Sequence, residues 1–451
     1  MRKLTVCLLC ILIALTLCLT ACEKQPERPS GDDILCNGPP LYEDDEGNST
    51  LLAAAATAEK LSYEERKSEG FQALLASVNA FSAKLSQSVY NNYTDRNNLA
   101  VSPISVYMAL AIAAECASGN TREEILSARG VTSELLNENF PLLYRSLNVT
   151  YKDDKGEIAS MLDLNNSIWI DYAYEVKGPT LQTLAEQYFC NSVSADFVND
   201  NQNANYALRK FIKDKTHNLI DQDFKLSEET VFAIINTLYL KDVWNLLGDD
   251  LEFTQDSYSF NDSKVIKLLQ GYYNDGQIYE ADTYTHFYTE TYNNYKLKFI
   301  LPKDGHTIEE VFTAENIATV NGVKDYGAYD EETDTKYYTR CLFPEFRASY
   351  NHDIAPILQK DFAIKDLFDN VCNFGALSDM QACCSAVLHV TELKVDKKGI
   401  EGAAVTIMPV DGDAAPPKHK IYSDFVVDKS FGYIITDYYG AILFTGVVEN
   451  V

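Results

Sequence analysis

The sequence has few basic residues for its length. Its 451 residues include 38 lysines and arginines against 66 aspartates and glutamates, which gives a formal charge of −28. Proteins that bind nucleic acid rely on patches of lysine and arginine that face the phosphates. The composition therefore excludes nucleic acid as a partner and favours a solvated acidic surface, with a basic protein partner as the alternative.

The sequence also lacks the short motifs of common enzyme classes. It contains no GxSxG, HExxH, GxGxxG or P-loop segment, and its six histidines show no metal-site spacing. Cys383 and Cys384 lie near His389 in the chain, where a buried thiol beside a strand histidine is a simpler interpretation than a catalytic dyad. We expect no metal, no cofactor and no catalysis, and an undetected carboxylate pair is the remaining enzymatic alternative.

Paired cysteine motifs are missing as well. Of the 11 cysteines, Cys7, Cys10 and Cys18 fall in an apolar N-terminal segment and Cys22 follows directly after it. Seven others remain: Cys36, Cys116, Cys190, Cys341, Cys372, Cys383 and Cys384. Seven is an odd number and no CxxC occurs, so we expect neither a zinc site nor a disulfide framework. Most of these cysteines should be buried free thiols.

The N-terminus has the pattern of a lipoprotein signal. Arg2 and Lys3 precede an apolar run over residues 4–20, and Leu19-Thr20-Ala21-Cys22 resembles a bacterial lipobox. We expect residues 1–21 to be the signal peptide and residues 22–63 a lipidated, flexible tether. Lipid on Cys22 would hold the protein on an extracytoplasmic, cell-surface membrane, from which release to the extracellular space is a further option. A plain secretory signal and a membrane helix are the alternatives.

Helix patterns concentrate early in the chain and strand patterns late. Apolar residues recur at steps of three and four from Leu74 to Val89, which predicts an amphipathic helix. A second helix should begin after Ser102 and run to Cys116, with Gly119 as its stop signal, and Thr121 should cap the next one. Further predicted elements are a helix over 208–220, strands over 166–170 and 231–239, and a hairpin over 431–448. This order predicts an α+β fold.

One stretch, residues 389–406, joins a strand to a run of small residues. Side chains alternate in character from His389 to Asp396, which predicts a strand. Gly399 ends it, Gly402-Ala403-Ala404 follows, and residues 409–417 are rich in proline and glycine, as in a long exposed loop. Small side chains suit a segment that slips between other strands. Taken alone, however, the stretch fits an ordinary strand, turn and surface loop more simply.

Six segments together resemble the serpin family over residues 65–450. They are Asn98 to Ser105, Val231 to Asn236 with Lys241 and Trp244, Phe343-Pro344-Glu345-Phe346, residues 389–406, residues 425–431, and Ile442-Leu443-Phe444-Thr445-Gly446-Val447. Each segment alone is weakly specific, whereas the six in this order specify one fold. The resemblance implies a monomeric serpin domain over residues 64–451, with three β-sheets, eight or nine helices and an exposed reactive-centre loop.

The resemblance implies suicide inhibition of proteases. The protease cleaves the loop and is held as an acyl-enzyme while the hinge inserts into the central sheet as a new strand. The hinge would be Gly399, Ile400, Glu401, Gly402, Ala403, Ala404, Val405 and Thr406. With a period of two, Ile400, Gly402, Ala404 and Thr406 share the inward face, and none is charged. This favours an inhibitor of serine proteases, and more widely of cysteine proteases, over a non-inhibitory surface binding protein.

The resemblance also assigns residues around the insertion site. Ser102, Ser105, Asn236 and His389 would form a polar cluster beneath the central sheet, the shutter. Trp244 would cover the top of the gap where insertion begins, the breach. Both assignments concern how the sheet opens.

The chain departs from the family pattern at several positions. Ile400 stands where Thr or Ser is usual, Gly402 where Ala is usual and Asp242 where Gly is usual. Lys397 replaces an acidic residue, which puts the family's breach ion pair in doubt. Pro409 cannot donate to a sheet, so insertion is expected to stall or adjust near it.

The family's spacing from the hinge glycine puts the scissile bond at Asp413–Ala414. Aspartate before the bond would suit a protease with a basic primary pocket, such as caspase-like and granzyme-like enzymes. The loop is longer than usual, so cleavage after Met408, Val410 or Ala414 stays an equal alternative. That register would suit elastase-like or subtilisin-like proteases.

Overall fold

The computed structural model describes residues 41–42, 49–95, 97–152, 156, 158–223, 225–244, 251–322, 329–384, 387–401 and 419–451. The predicted signal peptide with Cys22, most of the tether, the hinge from Gly402 to Thr406, and the candidate bonds at Val410 and Asp413–Ala414 lie outside these residues.

Ten α-helices and a 3-10 turn, Asp366–Phe368, lie in the described residues. The helices are α1 (Tyr63–Lys67), α2 (Glu69–Asn92), α3 (Pro103–Cys116), α4 (Gly119–Arg129), α5 (Ser133–Ser146), α6 (Gly178–Gln187), α7 (Asn201–Lys215), α8 (Ile308–Val311), α9 (Ala314–Gly322) and α10 (Ala355–Asp361). The number exceeds the eight or nine expected because α1 and α8 are single turns of five and four residues.

Twenty strands in the described residues form sheets of 14, four and two strands. They are β1 (Ser49–Ala53), β2 (Leu99–Val101), β3 (Val149–Lys152), β4 (Ile158–Asp171), β5 (Cys190–Ala195), β6 (Phe232–Val243), β7 (Tyr258–Phe260), β8 (Lys264–Ile266), β9 (Leu269–Asp275), β10 (Tyr279–Glu280), β11 (Tyr284–Glu290), β12 (Lys296–Pro302), β13 (Tyr329–Asp330), β14 (Thr335–Phe343), β15 (Phe346–Asp353), β16 (Leu388–Asp396), β17 (Gly399–Ile400), β18 (His419–Val426), β19 (Phe431–Thr436) and β20 (Ile442–Val448). The mixed α+β class predicted from the sequence is confirmed.

The 14-stranded sheet positions the site. Its order is β1-β5-β4-β6-β17-β16-β15-β2-β20-β19-β12-β11-β10, and β3 pairs with β4. The central sheet is the part from β1 to β15. In it, β4 and β6 run antiparallel over ten residue pairs, and β15 and β16 over eight. The second part begins at β2, which meets β15 through the single pair Ser349–Leu99.

Helix α3 forms the floor beneath the central sheet. It starts at Pro103, with Ser102 as N-cap, and almost all of its side chains are buried. A helix that is apolar all round belongs in a core, and α3 lies between β6 of the central sheet and β20 of the second part. It therefore supports the central sheet from below, and Ser102 and Ser105 lie at its start.

The predicted end of the second helix at Cys116 is confirmed, whereas Gly119 as its stop signal and Thr121 as the cap of the third helix are wrong. Helix α3 ends at Cys116, and Gly119 is the first residue of α4, with Ser118 as its N-cap. Thr121 lies inside α4, where its buried hydroxyl accepts the Asn373 N–H at 3.0 Å. The Thr121 hydroxyl thus forms a tertiary hydrogen bond, whereas the sequence pattern predicted that it caps the helix.

The expectation of free thiols is wrong for two cysteines. Cys372 and Cys383 form a disulfide, with Cα atoms 5.7 Å apart. Cys116, Cys190 and Cys341 are buried free thiols, and burial raises the pKa of each of them. The spacing of the bonded pair matches no common motif, so the sequence carried no signal for this bond.

Candidate functional site at the gap in the central sheet

Strand β17 lies between β6 and β16 at one end of the central sheet. Its residue Ile400 pairs with Val395 of β16 on one side and with Asp242 of β6 on the other. The Ile400 side chain is completely buried, on the inward side that the two-residue period gives it. The first two residues of the hinge are therefore already a strand of the sheet.

Beyond β17, strands β6 and β16 separate. No ladder joins these two strands directly in the residues that the structure describes. A cavity of about 80 Å³ lies between them. It is lined by residues 234–238 on the β6 side, residues 387–392 on the β16 side, and Ser102, Ser105, Leu208, Ile212 and Phe444. The central sheet is thus interrupted along the line on which β17 would continue.

Three of the four predicted shutter residues are in contact. The Ser102 N–H donates to Nε2 of His389 at 3.1 Å, and the Ser102 and Ser105 hydroxyls are 2.8 Å apart. Thr391, which the sequence analysis did not select, lies 3.0 Å from the same His389 nitrogen. Burial lowers the pKa of His389 to about 4, so the ring is neutral at pH 7 and accepts from Ser102.

Asn236, the fourth residue predicted for the shutter, is not part of this contact. It lines the same cavity on the β6 side, and its Nδ2 donates to Asn166 Oδ1 on β4 at 2.7 Å. Its Oδ1 and the Thr237 hydroxyl are buried and accept no hydrogen bond from the described part of the protein. Leaving a buried polar atom unpaired costs about 1–3 kcal/mol. The gap therefore leaves unpaired polar atoms along β6.

Trp244 lies next to β17, at the end of the central sheet where β17 pairs with β6 and β16. Its indole Nε1–H donates to the Asp396 carbonyl at 2.6 Å, and its backbone N–H donates to the Lys398 carbonyl at 3.4 Å. The ring is buried and packs edge-on against Phe343, with centroids 5.4 Å apart. These contacts place the tryptophan on the turn between β16 and β17, and its role at the breach stays a prediction.

Asp242 takes the place that the family pattern gives to glycine. Its carboxylate is fully buried and accepts the Asn293 N–H at 2.9 Å and the Asn293 Nδ2 at 3.0 Å. Burial raises the pKa of this carboxyl. The Asp242 carbonyl lies so close to Gly399 that a Cβ there would come within 1.9 Å. Only glycine fits at this position of β17.

The sheet conformation of the hinge ends at Glu401. This residue has φ +66°, in the left-handed region, so the backbone turns out of the strand. Its N–H donates to the Lys394 carbonyl, and its Oε1 accepts the Tyr239 hydroxyl, both at 2.8 Å. Tyr239 is buried and its ring lies 4.4 Å from that of His217. The Glu401–Tyr239 hydrogen bond therefore holds the hinge two residues into the sheet.

The lysines before the hinge form backbone contacts. The Lys397 N–H donates to Glu345 Oε1 at 2.9 Å, and the Lys398 N–H donates to Asp396 Oδ1 at 2.8 Å. The ion pair at this end of β16 joins Lys394 and Asp396, with 2.5 Å between Nζ and Oδ2. The sequence analysis did not select that pair.

The described residues offer no metal-binding cluster and no membrane-spanning helix. Within the described ranges, no three or more His, Cys, Asp and Glu side chains lie close enough to hold a metal ion. None of the helices described combines the length and the apolar character that crossing a bilayer requires. His389, the histidine near Cys383 and Cys384 in the chain, contacts Ser102 and Thr391.

Comparison with known proteins identifies a family. The family model described as "Serpin (serine protease inhibitor)" matches residues 76–451. The chain is 26% identical over 386 residues to human neuroserpin, covering 82% of this chain and 90% of that protein. It is 25% identical over 368 residues to sheep (Ovis aries) corticosteroid-binding globulin, covering 78% of this chain and 80% of the relative.

Solved structures share the fold. The thermophilic serpin tengpin in its native state has a TM-score of 0.66 at 20% identity, covering 90% of this chain and 100% of tengpin. Thyroxine-binding globulin in complex with thyroxine has a TM-score of 0.66 at 21% identity, covering 83% of this chain and 99% of the globulin. These likenesses concern the fold.

Proposed function

The chain belongs to the serpin family, and from this premise we propose that it is a suicide inhibitor of extracellular serine proteases, with cysteine proteases as a second target class. Members of the family are typically protease inhibitors, although some, such as the corticosteroid-binding and thyroxine-binding globulins, are not. One observation supports an inhibitor over a non-inhibitory member of the family: β17 already lies between β6 and β16, with a gap beyond it.

The register of β17 indicates where the rest of the hinge would go. Ile400 pairs with Val395 and with Asp242, both antiparallel. Continuing residue by residue in that register brings Thr406 between His389 of β16 and Asn236 of β6. The hinge would thus reach the shutter with its inward face still small and uncharged. The Thr406 hydroxyl could then donate a hydrogen bond to the unpaired Oδ1 of Asn236.

The same register bears on Pro409. Strand β16 begins at Leu388, which would face residue 407 of an inserted hinge. The ladder along β16 therefore ends before Pro409, and the missing N–H of that proline costs no hydrogen bond on this side. On this basis Pro409 would not prevent the first seven hinge residues after Gly399 from pairing.

The proposed mechanism follows from this geometry. A protease attacks the loop and forms an acyl-enzyme with the residue before the scissile bond, which releases the hinge from the C-terminal part of the loop. Glu401 then leaves its left-handed conformation, and the hinge extends along the gap. Each new backbone hydrogen bond contributes about 1 kcal/mol net, and pairing of Asn236 adds to this. The bound protease would be carried along the sheet and distorted.

The decisive test is a covalent complex. The protein is mixed with subtilisin, pancreatic elastase and an Asp-specific granzyme, and the products are examined on denaturing gels. We expect an SDS-stable complex with at least one enzyme and a cleaved form of higher thermal stability. Mass spectrometry of the released C-terminal peptide identifies the cleaved bond. Cleavage after Asp413, after Val410 and after Ala414 would release peptides of different mass.

Two neighbouring substitutions provide a matched control. Ala404→Arg puts a charge on the inward face of the hinge, whereas Ala403→Arg puts the same charge on the other face. We expect Ala404→Arg to be cut without forming a complex and Ala403→Arg to form the complex. If the wild-type loop is only cut, with no complex and no stabilised product, the protein is a non-inhibitory serpin acting as a surface binding protein.

A further inference from the structure

Strand β18 starts where the predicted reactive loop ends, and it carries one exposed aromatic side chain, Tyr422. It pairs in parallel with β14, so that Tyr422 lies beside Tyr338 and Lys420 beside Lys336. We name these four residues the loop-base strip. The two tyrosine rings are stacked at 15°, with centroids 5.1 Å apart, and Tyr422 is 56% exposed. The lysine ammonium groups lie 5.1 and 5.9 Å from the Tyr338 ring.

Side-chain contacts next to the strip join β14 and β18. Two residues further along the same face, the Arg340 guanidinium binds the Asp424 carboxylate through two hydrogen bonds, at 2.9 and 2.6 Å. On the opposite face, the Thr339 and Ser423 hydroxyls are 2.9 Å apart. Rigid aromatic side chains lose little conformational freedom on binding, which is why Tyr is frequent in interfaces.

We propose that the loop-base strip is a second contact surface for the protease that attacks the loop, and this rests on the proposed function. His419, the first residue of β18, is five residues from Ala414, so even a fully extended chain places the scissile bond within about 17 Å of the strand. A globular protease of about 220 residues has a radius of gyration of about 17 Å. An enzyme bound at Asp413–Ala414 is therefore near enough and large enough to reach the strip.

The chemistry of the strip defines the matching surface on the protease. The stacked tyrosines present an apolar face with hydroxyl groups, and the lysines add local positive charge in a chain of formal charge −28. Four acidic residues precede β14: Asp330 at the end of β13, and Glu331, Glu332 and Asp334 in the turn. The positive charge on this side of the strip is therefore limited to the two lysines. An apolar patch with carboxylates at its rim, beside the active-site cleft, is the complementary surface.

The test measures how fast the loop is consumed. Second-order rate constants for loss of intact chain are determined with subtilisin, elastase and the granzyme, whether the product is a complex or a cleaved chain. We expect Tyr422→Ser to lower the rate constant about fivefold or more for the most reactive enzyme. Tyr422→Phe should keep it within about twofold. Tyr206→Ser, on α7 at a residue 64% exposed, is the remote control and should have no effect.

Other outcomes overturn the inference separately from the proposed function. An unchanged rate for Tyr422→Ser, with wild-type complexes still forming, shows that the strip is not used. A faster rate shows that the chain's own loop covers the tyrosine. A change in sedimentation of the variant without protease assigns the strip to a contact between two copies. If no enzyme consumes the wild-type loop, both proposals fail.

Discussion

Gly399 has no side chain, and it lies where β17 pairs with β6 on one side and with β16 on the other. A Cβ would lie 1.9 Å from the Asp242 carbonyl oxygen and 3.0 Å from the Val243 Cα, both backbone atoms. We expect Gly399→Ala to expel β17, at a cost of about 1–3 kcal/mol, and to lower the yield of covalent complex in favour of cleaved chain. The yield on denaturing gels measures this.

Gly402→Ala is the control for that change, since it introduces the residue that the family usually has there. It should leave the yield of complex unchanged or raise it. Equal yields for Gly399→Ala and wild type would contradict the view that insertion starts from β17.

His389 makes stability depend on pH. Burial lowers its folded-state pKa to about 4, against about 6.5 in an unfolded chain. The contribution of the neutral ring is therefore fully present above pH 6.5 and is lost as the pH falls towards 4, because only the unfolded chain takes up the proton. The loss amounts to about 3 kcal/mol. Urea unfolding at pH 7 and pH 4.5 measures it.

The comparison variant is His389→Gln, which keeps a hydrogen-bonding group and does not titrate. It should be less stable than wild type at pH 7 and should lack this part of the pH dependence. If both proteins lose the same stability between pH 7 and pH 4.5, His389 is not the group responsible.

Among the structural elements, β17 depends on a contact outside the strand itself. The Tyr239 hydroxyl holds Glu401 at 2.8 Å, and a hydrogen bond of this kind contributes about 1 kcal/mol. We expect Tyr239→Phe to increase the local opening of the hinge about fivefold. Hydrogen exchange of the Glu401 amide, which donates to Lys394, reports on this opening.

The exchange of amides in the β4–β6 ladder is the internal control and should not change in Tyr239→Phe. Faster exchange throughout the central sheet would indicate general destabilisation. Unchanged exchange at Glu401 would mean that the tyrosine does not hold the hinge.

Sequence patterns predicted elements whose signal is local. The alternation from His389 to Asp396 predicts β16, and the apolar run over 231–239 predicts most of β6. β17 could not be predicted, because a two-residue strand has no period and exists only through partners distant in the chain. The pairing of Asn236 with Asn166 and the Cys372–Cys383 bond likewise depend on which residues the fold brings together.

At the scale of the whole molecule, the N-terminal segment bears on where the protein acts. We propose that lipid on Cys22 holds the protein on the extracytoplasmic cell surface. Stable anchoring requires two or more acyl chains, so replacing the cysteine should abolish it. We expect Cys22→Ala to move most of the protein from the membrane fraction to the soluble or secreted fraction.

Cys36→Ala is the matched control for this experiment, because it changes a nearby cysteine outside the lipobox. It should stay with the membrane fraction. Membrane association of Cys22→Ala equal to that of wild type would indicate a different mode of attachment, such as an uncleaved helix.

The strand order also determines how the molecule bears a mechanical load. β1, the first of the described strands in the chain, is at one edge of the 14-stranded sheet. On the other side of β17, the sheet includes β19, which follows β18 in the chain. Tension between a membrane-held N-terminus and a protease on the loop would act across β17. In the described strands, two residues bridge that line, against ladders of ten and eight residue pairs beside it. Within the central sheet, from β1 to β15, the junction with the fewest residue pairs is therefore the one at which the hinge is proposed to insert.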